Sequence, residues 1–139
     1  MNPRLALAAT TVAALVGSLT GTAAAHPARR ASHPIVFDHH DSGRAISVTR
    51  GTTFKVSLEA CGDCGQYWSF AHRPAGATLK VEKKLVKPDA KPPAVGGNDH
   101  TIWTFRGVGK GRTTMRIVER SAENRQKIIK HFTLTVGVA

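Results

Sequence analysis

Both cysteines of the chain lie in one short stretch, Cys61-Gly62-Asp63-Cys64, and Gly65 and Gln66 follow them. Three chemistries use this spacing: a disulfide across a tight turn, thiol-disulfide exchange, or half of a tetrahedral metal site. Exchange proteins place the first Cys at a helix N-terminus, which lowers its pKa. Here the flanks read as strands, and Asp63 between the sulfurs would raise a thiol pKa. A metal site would need His72 or the His39-His40 pair to complete it. Adjacent histidine side chains usually diverge, and no second ligand pair has zinc spacing. A Cys61–Cys64 disulfide is the favoured reading, and the chain-entropy formula gives about 2 kcal/mol for so small a ring. Gly62 supplies backbone freedom to the turn, and Gly65 permits a positive φ after it.

No other constellation has the context that catalysis needs. His, Asp and Ser occur without a nucleophile elbow or a placed acid pair. The expectation is a protein with no catalytic residues, no metal and no cofactor, and not an enzyme.

The elements that must hold the cysteine loop are strands. Thr53-Phe54-Lys55-Val56-Ser57-Leu58 alternates and runs into the loop with Phe54, Val56 and Leu58 on one face. Residues 67–70 leave it as a strand. Trp68, Phe70, Trp103 and Phe105 sit at alternate positions, a spacing that fits core packing better than a binding platform. Further strands are expected at 45–48, 77–82, 101–105, 113–118 and 127–136. Residues 83–98, with three prolines and Gly96-Gly97, read as a long exposed connection, and 119–126 as a polar turn. No helix is convincing and no internal repeat is present. About seven short strands joined by Gly/Pro turns make an all-β, antiparallel β-sandwich.

The chain of 139 residues has length for one domain. Residues 1–25 carry Arg4, an apolar run and Ala23-Ala24-Ala25, the pattern of a secretory signal peptide cleaved near Ala25. Gly17, Ser18 and Gly21 interrupt the run before it reaches membrane-spanning length. The expected product is secreted or held in the cell envelope, with no membrane span, and monomeric. An oxidising compartment favours the bonded cysteine pair. Residues 26–44 read as a flexible lead-in to a domain at 45–139, except that His33-Pro34-Ile35-Val36-Phe37 is a short apolar touch that fits along a sheet edge. The formal net charge of +11 favours anionic partners. The cations are spread along the chain, and no aromatic residues interleave with Arg as a stacking platform requires, so nucleic acid is not an expected partner.

The sequence resembles the chagasin-type inhibitors of papain-like cysteine peptidases over residues 45–138. Gly51 with Phe54-Lys55-Val56-Ser57-Leu58 fits the family's first strand. Gly65, Trp68 and Phe70 fit the end of its central loop and the strand after it. Gly96-Gly97 with His100 fits its second loop, and Gly107-Val108-Gly109-Lys110-Gly111 fits the turn before its penultimate strand. The resemblance implies an immunoglobulin-like sandwich whose three neighbouring loops occlude the peptidase cleft without covalent chemistry. Carried onto this sequence, the loops comprise Cys61, Gly62, Asp63, Cys64, Gly65 and Gln66; then Val95, Gly96 and Gly97; then Arg120, Ser121 and Ala122. The family's central Asn-Pro-Thr-Thr-Gly is replaced here by Cys61-Gly62-Asp63-Cys64-Gly65, and neither Pro nor Trp follows Arg120. The other reading is an extracytoplasmic binding module of the same fold, its loops turned to another secreted protein or an anionic envelope component.

Overall fold

The computed structural model describes residues 34–89, 91 and 96–139. The expected signal peptide, the lead-in up to residue 33 and Val95 lie outside the described residues. Among the described residues, eight strands form an immunoglobulin-like β-sandwich: β1 (Ile35–Phe37), β2 (Arg44–Val48), β3 (Thr53–Cys61), β4 (Gln66–His72), β5 (Leu79–Pro88), β6 (Asn98–Gly107), β7 (Gly111–Ser121) and β8 (Ile128–Val138). One sheet has the order β1-β3-β6-β5 and the other β2-β8-β7-β4. The central pairings are antiparallel, as alternation and short turns dictate. The edge strands β1 and β2 pair parallel, with β3 and β8 respectively, so the sandwich is mixed rather than purely antiparallel.

Period-two alternation builds the core. Phe54, Val56, Leu58 and Ala60 of β3 point inward, as do Trp103 and Phe105 of β6. They meet Met115 and Ile117 of β7 and Phe132, Leu134 and Val136 of β8. Phe54 and Phe105 stack at 5.3 Å, and Phe70 packs on Trp103 at 5.5 Å, separations at which aromatic pairs gain energy beyond burial. The tryptophans are therefore core residues: Trp68 is 2% and Trp103 1% exposed.

Three stretches differ from the sequence-based expectation. Residues 34–44 are not a flexible lead-in. β1 adds to the outer edge of β3, and Phe37 buries its ring edge-on against Phe54 at 5.6 Å. A single 3₁₀ turn (His39–Asp41) follows. Asp38 caps it by accepting from the backbone N–H of His40, and Asp41 reaches back to the N–H of Asp38. That bond, together with the Arg44 guanidinium, holds the Asp41 carboxyl below its ordinary range. Three apolar residues among histidines and prolines carry too weak an alternation to be read as a strand.

The second difference lies in β5, which extends through the lysine-rich residues assigned to a connection. A bulge between Val81 and Lys83 shifts the alternation, and an edge strand tolerates exposed lysines and a terminal proline. The third is β7, which continues to Ser121 through residues read as a turn. Its Glu119 is fully buried. Among the described residues no helix is long and apolar enough to cross a membrane.

Candidate functional site

Three connections emerge at one end of the sandwich. Strand direction and register place them there: Cys61 ends β3 opposite Asn98 at the start of β6, Pro88 ends β5 opposite Asp99, and Gln66 begins β4 opposite Ser121 at the end of β7. Residues 62–65 form the central loop and carry the chain from one sheet to the other. Asp89, Lys91, Gly96 and Gly97, between β5 and β6, belong to a second loop, and residues 122–127 form a third.

The central loop is a tight turn. The N–H of Gly65 donates to the carbonyl of Gly62 at 3.0 Å, and Gly65 has φ +63°, a left-handed conformation that favours glycine. Cys61 and Cys64 face each other across it with Cα atoms 5.2 Å apart, within disulfide range. The N–H of Cys64 points to the Cys61 sulfur at 3.2 Å. The flanks are strands, so no helix N-terminus is present to activate a thiol as exchange chemistry requires. His72 sits at the opposite end of β4, six residues or about 20 Å along the strand from Gln66. It cannot complete a metal site with these sulfurs.

Both outer loops hydrogen-bond to the central one. The Asp63 carboxylate accepts from the N–H of Gly97 at 2.7 Å. Gly96 has φ +100°, a left-handed conformation that disfavours a side chain, and a Cβ there would fall 2.8 Å from the same carboxylate oxygen and push it off the Gly97 N–H. On the other flank, the carbonyl of Gly65 accepts from the N–H of Ala122 at 2.7 Å. Cys61, Gly62, Asp63, Cys64, Gly65, Gln66, Gly96, Gly97, Ser121 and Ala122 thus form one continuous edge. Arg120 stands behind it rather than at its tip. It lies in β7 beside Tyr67, half-buried, and its guanidinium donates to the carbonyl of Arg125 at 2.6 Å, bracing the third loop.

Sequence reasoning missed the supports beneath this edge. The Trp68 indole N–H donates to the carbonyl of Glu59 at 2.9 Å and ties β4 to β3 below the central loop. The Glu59 carboxylate in turn accepts from the Asn98 side chain. Glu119 is fully buried between its register partners Trp68 and Lys130, and its carboxylate meets the Lys130 ammonium at 3.1 Å with no other polar partner among the described residues. Its phase in β7, continuous with Met115 and Ile117, was the signal that could have found it. A groove of about 350 Å³ opens beside the loop, lined by His39, Cys61, Gln66, Trp68 and Lys130 among others. Near it the His39 and His40 rings lie 3.8 Å apart instead of diverging, and their neighbour Asp38 is engaged in capping its own turn.

Residues 47–136 match the family described as chagasin family peptidase inhibitor I42. Among solved structures, the chain is similar to the cysteine protease inhibitor EhICP2 from Entamoeba histolytica, at 14% identity and a TM-score of 0.65, over 76% of this chain and 95% of that one. It is also similar to amebosin, at 17% identity and a TM-score of 0.60, over 77% of this chain and 99% of that one. None of the curated protein sequences matches it significantly. These structural likenesses establish the sandwich, and the family match spans nearly all of it, strands and loops together: the chain belongs to the chagasin family of peptidase inhibitors.

Proposed function

We propose that the three-loop edge enters the active-site cleft of a papain-like cysteine peptidase and blocks it reversibly, with one copy of the chain per peptidase. The observation that carries this reading is the pair of hydrogen bonds from the central loop to its neighbours, Asp63 to Gly97 and Gly65 to Ala122. They make three separate connections into a single pre-organised projection. Binding then orders little new backbone, so more of the contact energy is retained as affinity. Family membership and the fold shared with a cysteine protease inhibitor support the target class. No side chain is required to react, and the inhibitor acts by occupancy.

A closed Cys61–Cys64 disulfide supplies the loop stiffness. It needs an oxidising compartment, consistent with export directed by residues 1–25. Titrating papain-type activity with the chain, with and without reductant, tests the proposal. The oxidised form is expected to inhibit at or below micromolar concentration, and reduction to weaken it. No inhibition by the oxidised form at micromolar concentration would contradict it.

A further inference from the structure

Charge is strongly segregated along the sandwich. Of the nine acidic residues, six lie within three positions of the loops: Glu59, Asp63, Asp89, Asp99, Glu119 and Glu123. Asp38 and Asp41 lie in the 3₁₀ turn, where Asp41 pairs with Arg44. The remaining one, Glu82, is paired with Arg106 at 2.7 Å. Residues 44–58, 66–81 and 100–118 contain no acidic side chain.

Cations populate the half that the acids leave. On the outer face of the first sheet, Arg106 lies beside Lys80 in register, and one row on Thr104 lies between Lys55 and Lys83. On the outer face of the second sheet, Arg112 and Arg116 of β7 are exposed. The turns closing that end carry Arg50 and Lys110. Strand spacing sets side chains in neighbouring strands about 5 Å apart and successive rows about 7 Å apart. Hydroxyls stand among the cations, with Thr53 beside Arg106 and the paired Thr114 and Thr135 between Arg112 and Arg116.

We propose that this end of the sandwich, opposite the loops, docks a linear polyanion bearing sulfate, phosphate or carboxylate groups. Two features select a flexible polymer. The cations occupy both sheet faces and the end between them, so a flat membrane could engage only a fraction at once. The repeated spacing offers many equivalent anion positions rather than one pocket. Because the loops project from the other end, a polymer-bound molecule keeps its inhibitory edge free. This surface does not depend on the loop reading, and its contacts are weak singly and additive together.

The test uses the full chain, immobilised dextran sulfate and a salt series. A Lys80→Glu/Lys83→Glu/Arg112→Glu variant is compared with Lys91→Glu/Arg125→Glu/Lys127→Glu, which changes the net charge equally at the loop end. The first variant is expected to lose at least about 30-fold in affinity near 0.1 M salt and to lower the log–log salt slope by about 2 to 3, whereas the second loses less than about threefold. A Lys80→Gln/Lys83→Gln/Arg112→Gln variant should show the same direction, which guards against misfolding as the cause. Equal losses in both charge-reversed variants would overturn the proposal, since net charge alone would then explain retention. Tighter binding to phosphatidylglycerol vesicles than to dextran sulfate would also overturn it. Papain titration of the Lys80/Lys83/Arg112 variants, none of which touches the loops, reads the loop edge separately and is expected to be unchanged.

Discussion

Asp63 does at the central loop what its neighbours cannot. It is the only acidic side chain in the turn, and its bond to the Gly97 N–H couples two loops that are 34 residues apart in sequence. An exposed bond to a charged acceptor is worth about 1 kcal/mol, so Asp63→Ala is expected to weaken peptidase inhibition about fivefold. Asp63→Asn, which retains an acceptor oxygen, should recover most of it; the inhibition constants of both variants check this. Glu119 makes a different prediction. A buried charge with one partner is costly to strand and cheap to replace as a pair. Thermal or denaturant unfolding should show Lys130→Leu to be destabilising by about 1 to 2 kcal/mol, below the fully buried range because Lys130 is 60% exposed, while the Glu119→Leu/Lys130→Leu double variant stays near the parent. A double variant as unstable as the single would show that the pair does more than satisfy itself.

Among the elements, the strands with strong alternation were legible in the sequence, and those that rely on tertiary support were not. β3 and β8 from Phe132 onward announce themselves because every second residue is apolar and the sheet buries that face. β1 was legible only as a short apolar touch along an edge and not as a strand, because only Phe37 of its three residues reaches the core. Its stability comes from the edge of β3 that it covers. Removing the ring should therefore matter: Phe37→Ala is expected to cost about 3 kcal/mol, the low end for a buried aromatic, measured by denaturant unfolding. A loss below about 0.5 kcal/mol, within the usual range for surface changes, would mean that residues 34–44 do behave as a lead-in. The second half of β5 escaped for the opposite reason. Lysines, leucine and valine at an exposed edge follow no burial rule, and the bulge after Val81 breaks what periodicity there is. The turn at Cys61–Gly65 could be read from the sequence, whereas Arg120 and Ser121 fall in β7 rather than in a loop, and the bonds between loops could not be read at all. Nothing local in the sequence links Asp63 to Gly97, or Gly65 to Ala122.

At the scale of the molecule, the proposed inhibitory edge and the proposed polyanion surface lie at opposite ends of the sandwich. The loop end is where glycines, the cysteine pair and short cross-loop bonds make a stiff projection. The other end carries most of the uncompensated positive charge. The replacement of the family's central loop sequence is compatible with this layout, because a closed cysteine turn can restrict the backbone where the family uses proline. What that layout claims first is that the three loops together, and no other surface, meet the peptidase. Amide hydrogen exchange of the chain, free and bound to a papain-type peptidase, tests this most directly. The expected result is new protection at residues 61–66, 96–98 and 121–124, with residues 108–112 at the opposite end unchanged. Protection centred on the opposite end or on a sheet face, with the three loops exchanging as in the free chain, would contradict it.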